Sequence, residues 1–215
     1  MSQTLLQAFI TFLVTIDPIA LAPVFVSLTA ETDAAARRRI AVRAAAVAAA
    51  VLFVFAVGGE FLLRALGIGL PALRIAGGAL LFLLAIEMVF ARQSGYRSTT
   101  ASETEEAAHR HDPAVFPLAV PLISGPAAIT AVIVMMGEAG ASLLVKGGVL
   151  AMLALVLALV LTVLLLAARL VGVLGVTGVN VIGRVLGILL GALAVQFILD
   201  GITASGLFAG GPGAA

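Results

Sequence analysis

The residues that could do chemistry stand out because they interrupt apolar sequence. Asp17 and Pro18 lie near the middle of the apolar segment from Leu5 to Leu28. If this segment crosses a membrane at about 1.5 Å of rise per residue, the Asp17 carboxyl lies near half-depth. A carboxyl there is costly and indicates a functional site. Such a carboxyl could bind the ammonium group of a ligand or carry a proton that is coupled to transport.

The same pair also predicts a break in the helix. Asp is a good N-cap and Pro suits the first helical position, so Asp17-Pro18 is typical of a helix start. We expect one half-helix to end near Thr15 or Ile16 and a second to begin at Pro18. Non-helical backbone at that depth persists only where protein buries it or where it lines a polar cavity. The alternative is a plain proline kink with Asp17 bonded to a neighbouring helix.

A second interrupted segment follows later in the chain, with the sequence FPLAVPLISGPAAIT from Phe116 to Thr130. Ser124, Gly125 and Pro126 again predict a helix start, since glycine is tolerated at the cap. Two half-helix N-termini would then meet near the midplane, each with about half a positive charge and free N–H groups. Paired interrupted segments of this kind indicate the binding site of a transporter.

Composition sets the class of protein. The chain has 215 residues, of which 62% are hydrophobic and 11% charged, and its mean hydropathy is +1.24. These values exclude an ordinary soluble domain and predict an all-α polytopic membrane protein with six transmembrane helices. The predicted spans are Leu5 to Leu28, Ile40 to Leu63, Leu70 to Ala91, Val115 to Met136, Leu143 to Ala168 and Val181 to Ile202. The N-terminal segment lacks the features of a cleaved signal peptide.

An internal repeat groups the spans into two halves. Aligning Asp17-Pro18 with Gly125-Pro126 also places Leu66-Gly67 on Leu174-Gly175. Because each half has an odd number of spans, the second half is inverted relative to the first. We therefore predict two inverted three-helix repeats with broken first helices, over residues 1–91 and 115–203. Residues 92–114 form a cytoplasmic linker and residues 204–215 a flexible C-terminal tail.

Arginine and lysine predict the orientation. Counted on alternate sides of the six spans, nine basic residues fall on one side and three on the other. The richer side is cytoplasmic by the positive-inside rule, which leaves the N- and C-termini periplasmic or extracellular.

The candidate site favours a compact zwitterion. Helix N-termini suit a carboxylate, while Asp17 and the carbonyls that the prolines release suit an ammonium group. Small side chains near the breaks, including Ala127 and Ala128, leave room only for a small molecule. The candidate substrate-binding residues are Asp17, Pro18, Ala22, Ser124, Gly125, Pro126 and Thr130. For Thr130, the alternative is a hydrogen bond back to its own helix.

Further candidates have more ordinary alternatives. Glu87 is a second candidate for proton coupling, although it is near the end of its span, where snorkelling or local pairing is the alternative. Gly183, Gly187 and Gly191 form a smooth helix face that predicts close packing, either within the bundle or in a homo-oligomer. We expect no cofactor and no metal site, because cysteine is absent and the paired histidines His109 and His111 lie in the linker.

Three segments resemble the MarC family of bacterial inner-membrane proteins. They are DPIALAPVF from Asp17, PLAVPLISGPAAIT from Pro117 and the glycine-rich closing span from Asn180. The resemblance implies six spans and, from some members, proton-coupled transport of small neutral amino acids such as glycine and alanine. It also implies that Asp17, Pro18 and the Ser124 to Pro126 motif form the site. One departure is Ala127, where a glycine is expected in the family.

Two alternatives to an amino-acid transporter remain. The chain could export another small metabolite, or it could serve as a non-transporting membrane scaffold or regulator. Within the transporter prediction, the coupling ion could be sodium instead of the proton. The scaffold would not need duplicated breaks. We do not expect an enzyme, since no span contains a histidine or two carboxyls at similar depth. Nothing in the sequence indicates a nucleic-acid partner; the expected partners are the substrate, the coupling ion and the lipid bilayer.

Overall fold

The computed structural model describes residues 2–90, 112–140 and 142–206, and all regular secondary structure in these ranges is helical. The helices are α1 (Ser2–Ile16), α2 (Pro18–Leu28), α3 (Ala34–Ala65), α4 (Leu70–Phe90), α5 (Ala114–Ile123), α6 (Pro126–Glu138) and α7 (Leu143–Ala204). Most of the predicted linker over residues 92–114 and of the predicted tail over residues 204–215 lies outside the described residues.

The first predicted break is confirmed, between α1 and α2. Asp17 separates the two helices and has left-handed backbone angles, φ 48° and ψ 73°, which Asp tolerates better than most residues. Its carboxylate accepts the N–H of Ala20 at 3.3 Å, so Asp17 is the N-cap of α2. A plain proline kink is therefore the wrong alternative, because the chain leaves helical geometry at Asp17.

The second predicted break is confirmed between α5 and α6, which are bent by 56°. Gly125 is extended at the N-cap and Pro126 is the first residue of α6. Helix α5 is irregular, because Phe116 and Val120 have extended backbone angles and each precedes a proline, which disfavours helical geometry. Its last turn is wider than a turn of an α-helix, because the N–H of Ser124 donates to the carbonyl of Ala119, five residues earlier, at 2.9 Å.

Helix α7 corrects the predicted boundary between the fifth and sixth spans. We expected non-spanning sequence from residue 169 to residue 180, but the helix continues to Gly175 and resumes at Thr177. The segment stays helical because a single residue makes the bend: Gly175 has φ 63° and ψ 175°, a conformation that glycine adopts without steric cost. The two spans are thus arms of one bent helix, Leu143–Gly175 and Thr177–Ala204.

The described helices give five spans by length and composition, and the bent pair α5–α6 makes a sixth. The order of a broken span followed by two continuous ones occurs twice along the chain. That order is what an inverted repeat requires, but it does not test whether the two halves superpose. The inverted repeat therefore stays a prediction.

Close helix packing holds α4 against the second arm of α7. A Cβ at Gly78 would lie 2.7 Å from the Ala194 carbonyl oxygen, and a Cβ at Gly187 would lie 2.8 Å from Met88 Cβ. The three glycines of the predicted face differ in how closely they pack, and Gly187 makes the tightest contact. A Cβ at Gly191 would make an ordinary contact at 3.6 Å, and one at Gly183 would meet nothing within 4 Å among the described residues.

Contacts at the helix ends place both ends of the described chain on one side of the bundle. Leu5 in α1 packs beside Gly148 near the start of α7, and Gly201 near the end of α7 packs beside Pro71 at the start of α4. On the opposite side, the Arg37 guanidinium donates to the Thr29 carbonyl at 3.1 Å. The contacts do not identify which side faces the cytoplasm, so the predicted orientation of the termini is untested.

Candidate functional site

The two helix breaks meet at one cleft with a volume of about 40 Å³. That is room for about three water molecules, at roughly 10–15 Å³ of this volume for each. The lining residues are Thr15, Leu80, Leu84, Pro121, Leu122, Ile123, Gly125, Pro126, Ala127 and Ala128. Thr15 comes from the last turn of α1, and Gly125 and Pro126 come from the second break. The structure thus brings the two predicted breaks together.

The N-terminus of α6 is open to the cleft. The N-termini of α2, α3 and α7 are each capped by a side chain, from Asp17, Asp33 and Ser142 respectively. At α6, in contrast, no side chain among the described residues caps the first turn. The first turn of an α-helix has N–H groups without helical acceptors, and at α6 these groups lie in the part that lines the cleft. The helix dipole adds partial positive charge, which suits an anionic group.

Asp17 forms the first break and is buried there. It is fully buried, its N–H donates to the Leu13 carbonyl at 3.0 Å, and its carboxylate is directed to the N–H of Ala20. The cleft is lined two residues earlier, by Thr15. Asp17 is therefore adjacent to the cleft in sequence and in the break, but it is not among its described lining residues.

The other predicted binding residues divide between the cleft and the core. Gly125 and Pro126 line the cleft, whereas Pro18 and Ala22 are buried in α2. The two hydroxyls are used locally. Ser124 Oγ donates to the Ala119 carbonyl at 2.7 Å, and Thr130 Oγ1 donates to the Pro126 carbonyl at 2.8 Å. For Thr130, the structure therefore shows the hydrogen bond back to its own helix.

Two large residues of the cleft lie on α4 and had no distinguishing signal in the sequence. Leu80 and Leu84 are one turn apart on a helix of mostly apolar residues. A leucine that faces lipid and a leucine that faces a cleft look the same in such a sequence, so periodicity alone could not select them. Ala127 and Ala128 had a weak signal, as small side chains directly after the break.

Helices α4 and α6 form an antiparallel seam beside the cleft. Leu70 packs on Gly137 near one end of the seam, and Thr130 packs on Gly77, where an added Cβ would overlap Thr130 Cγ2. At the Gly137 end of the seam an ion pair joins Arg74 to Glu138, the last residue of α6; their side chains are 14% and 20% exposed. Side-chain packing and this ion pair thus hold α4 and α6 together from the end of the seam to the cleft.

Glu87 lies away from this arrangement. It is half-buried in the last turn of α4, which ends at Phe90, and it is not among the described residues that line the cleft. Its predicted role in proton coupling stays a prediction.

Comparisons with known proteins agree on one family. The family described as MarC family integral membrane protein matches residues 2–205. The chain is similar to a UPF0056 membrane protein of Aquifex aeolicus, with 37% identity over 91% of each chain. It is also similar to two Escherichia coli proteins, the UPF0056 membrane protein YhcE and the UPF0056 inner membrane protein YhgN. YhcE is 36% identical over 94% of this chain and 92% of its own, and YhgN is 31% identical over 92% and 95%. No solved structure matches the chain.

Proposed function

The chain belongs to the MarC family of integral membrane proteins, and we propose that it is a proton-coupled secondary transporter of small neutral amino acids of the glycine and alanine type. Transport would proceed by alternating access around the cleft between the two helix breaks. The observation that carries the proposal is the open N-terminus of α6, which lines this cleft beside the first break.

The carboxylate of the substrate binds at the N-terminus of α6 in this proposal. The N–H groups of Ala127 and Ala128 belong to the first turn and lie on the cleft. They are donors without helical acceptors, and the helix dipole favours a negative group there. The volume of the cleft sets the scale of the ligand. Three water molecules occupy on the order of 90 Å³ in the liquid, which matches the smallest amino acids.

The ammonium group binds on the opposite wall, at the end of α1. Thr15 lines that wall, and Pro18 has no N–H to offer the carbonyl of Val14, which leaves an acceptor at the break. The buried carboxylate of Asp17 adds negative charge behind these acceptors. A zwitterion would therefore lie across the cleft, with its two charges directed at opposite breaks.

Asp17 carries the coupling proton in this proposal. A carboxyl that is fully buried at the middle of a broken span is the type of group that relays protons in transporters. Because it caps α2 at Ala20, a change in its protonation alters the interaction that holds the break together. This gives proton binding a direct route to the geometry of the cleft.

The test is uptake of labelled glycine and alanine by the purified protein in proteoliposomes, with and without an inward proton gradient. The key variant is Asp17→Asn, and its matched control is Asp33→Asn, since Asp33 caps α3 in the same way at Ala36 but is exposed. We expect wild-type and Asp33→Asn uptake to rise with the gradient and to be competed by small neutral amino acids. Asp17→Asn should lose the response to the gradient.

Two outcomes would contradict the proposal at different points. Gradient-driven uptake that persists in Asp17→Asn would remove Asp17 from the coupling. A folded, inserted wild-type protein that takes up neither glycine nor alanine would overturn amino-acid transport and direct the search to other small solutes or to a non-transporting role.

A further inference from the structure

The walls of the cleft differ in what they can do to a ligand. The first turn of α6 supplies small side chains and backbone groups, and the end of α5 supplies Leu122 and Ile123. Helix α4 supplies Leu80 and Leu84, which lie one helical turn apart and both line the cleft. Leucine has no polar group with which to bind a zwitterion. Its effect on a ligand is therefore steric, and it acts on whatever part of the ligand faces α4.

The register of the α4–α6 seam places Leu80 beside the proposed carboxylate site. Leu70 packs on Gly137, and Gly77 packs on Thr130. From the first contact to the second, residue numbers rise by seven along α4 and fall by seven along α6, so the two helices run antiparallel in register. Continuing this antiparallel register by three residues brings Leu80 level with Ala127. Leu84 lies one turn further along α4, and Leu80, Leu84 and Ala127 all line the cleft.

This placement fixes which part of the substrate meets α4. When the N–H groups of Ala127 and Ala128 hold the substrate carboxylate, the Cα of the substrate lies within reach of the Leu80 side chain. The ammonium group is directed to Thr15 at the other break, so the remaining substituent, the side chain of the amino acid, is the part left to face α4. Close packing of α4 on α7, at Gly78 and Gly187, limits how far α4 can move back to admit a larger group.

We propose that Leu80, supported by Leu84, sets the upper size limit of the substrate side chain. This inference rests on the proposed function and adds to it a residue that decides which amino acids enter. The expected discrimination is large, since a single methylene group in an apolar pocket changes selectivity by about 10–200-fold.

The test measures uptake of glycine, alanine, valine and leucine by the wild type and by two variants with opposite effects. Leu80→Ala should lower the preference for alanine over valine by about 10-fold or more, because it removes most of the wall. Leu80→Phe should retain glycine and lose alanine. The matched control is Leu83→Ala on the same helix, whose side chain is 41% exposed on the outer face of the bundle and which should keep the wild-type preference.

A second readout does not depend on transport. The chain contains no cysteine, so Leu80→Cys and Leu83→Cys each introduce a single thiol into a cysteine-free background. Alanine should slow the reaction of a small thiol reagent with Leu80→Cys and leave Leu83→Cys unaffected.

The outcomes separate this inference from the proposed function. If the wild type transports glycine and alanine but Leu80→Ala keeps the wild-type ratio, or if alanine does not protect Leu80→Cys, the size limit is set elsewhere and the inference is wrong. If the wild type transports no amino acid, the proposed function fails and the inference fails with it.

Discussion

Thr130 occupies the space that a side chain at Gly77 would need. A Cβ at Gly77 would overlap Thr130 Cγ2 and lie 3.2 Å from Thr130 Cβ, while the hydroxyl of Thr130 donates to the Pro126 carbonyl. This contact joins the third span of the first half to the broken span of the second half. It lies directly beside the cleft, so it controls how closely α4 approaches the N-terminus of α6.

We expect Gly77→Ala to destabilise the protein by about 1–3 kcal/mol through overpacking. This exceeds the gain of up to about 1 kcal/mol from replacing a glycine within a helix. Thr130→Ser removes Cγ2 and keeps the hydroxyl, so the double variant Gly77→Ala/Thr130→Ser should recover part of the loss. Thermal unfolding of the four proteins in detergent measures the coupling. Purely additive effects would mean that the two residues do not share this space.

Two variants of Asp17 separate its structural role as the N-cap of α2 from the role of its charge. Asn is a good N-cap and tolerates left-handed backbone angles, so Asp17→Asn should keep the thermal stability of the wild type within about 0.5 kcal/mol. Asp17→Ala should lose about 1 kcal/mol for the cap and about 1–2 kcal/mol for the backbone conformation.

The two variants therefore form a graded test. If Asp17→Asn and Asp17→Ala unfold at the same temperature, the cap at Ala20 does not stabilise the break. Circular dichroism and thermal melting of both proteins, beside Asp33→Asn as the exposed N-cap, provide the measurement.

The breaks could be predicted from the sequence because the signals for them are local. Asp17-Pro18 and Gly125-Pro126 each combine a favoured or tolerated cap with a proline that suits the first turn, and no distant contact is needed to identify them. The wall of the cleft on α4 could not be predicted in this way. Whether Leu80 faces lipid, core or cleft depends on the rotation and register of α4 against α6, and neither is encoded in a run of apolar residues.

Two further differences between the sequence-based predictions and the structure also arise because local sequence does not specify how each residue is used. Residues 169–180 were predicted to connect two spans, and they contain Arg169 and three glycines, yet only Gly175 leaves helical geometry. Ser124 and Thr130 looked like ligand groups, but hydroxyls can bond to nearby carbonyls of their own chain, and both do so here. Polar residue type indicated the region of the site but not which groups face the cleft.

The glycine face of the second arm of α7 gives a matched pair of variants. Gly187→Ala would bring a Cβ to 2.8 Å from Met88 Cβ and 3.1 Å from the backbone nitrogen of Val89. A Cβ at Gly183 would meet no atom of residues 2–90, 112–140 or 142–206 within 4 Å. We expect Gly187→Ala to destabilise by about 1–3 kcal/mol. Gly183→Ala should be neutral or stabilising by up to about 1 kcal/mol.

Thermal melting of the two variants under identical conditions measures this difference. If Gly183→Ala were the more damaging, its smooth surface would be in contact with another copy of the chain, and chemical crosslinking of the wild type would then detect a dimer.

The ion pair between Arg74 and Glu138 closes the end of the α4–α6 seam, and its contribution can be measured. Removing one partner of a fully buried pair costs about 3–5 kcal/mol. Because these side chains are 14% and 20% exposed, we expect a smaller loss of about 1–3 kcal/mol for Glu138→Gln or Arg74→Gln. Arg64→Gln is the matched control, since it removes the ion pair with Glu60, in which both side chains are substantially exposed, and it should cost measurably less.

The exchange of charges makes the test specific to the pair. Arg74→Glu alone places two carboxylates at the end of the seam and should destabilise more than Arg74→Gln does. The double variant Arg74→Glu/Glu138→Arg restores opposite charges and should recover much of that loss, because attraction across the seam depends on the pairing and not on which helix carries each sign. If the double variant is no more stable than Arg74→Glu, the seam is held by the packing at Gly77 and Gly137, and the ion pair contributes little to it.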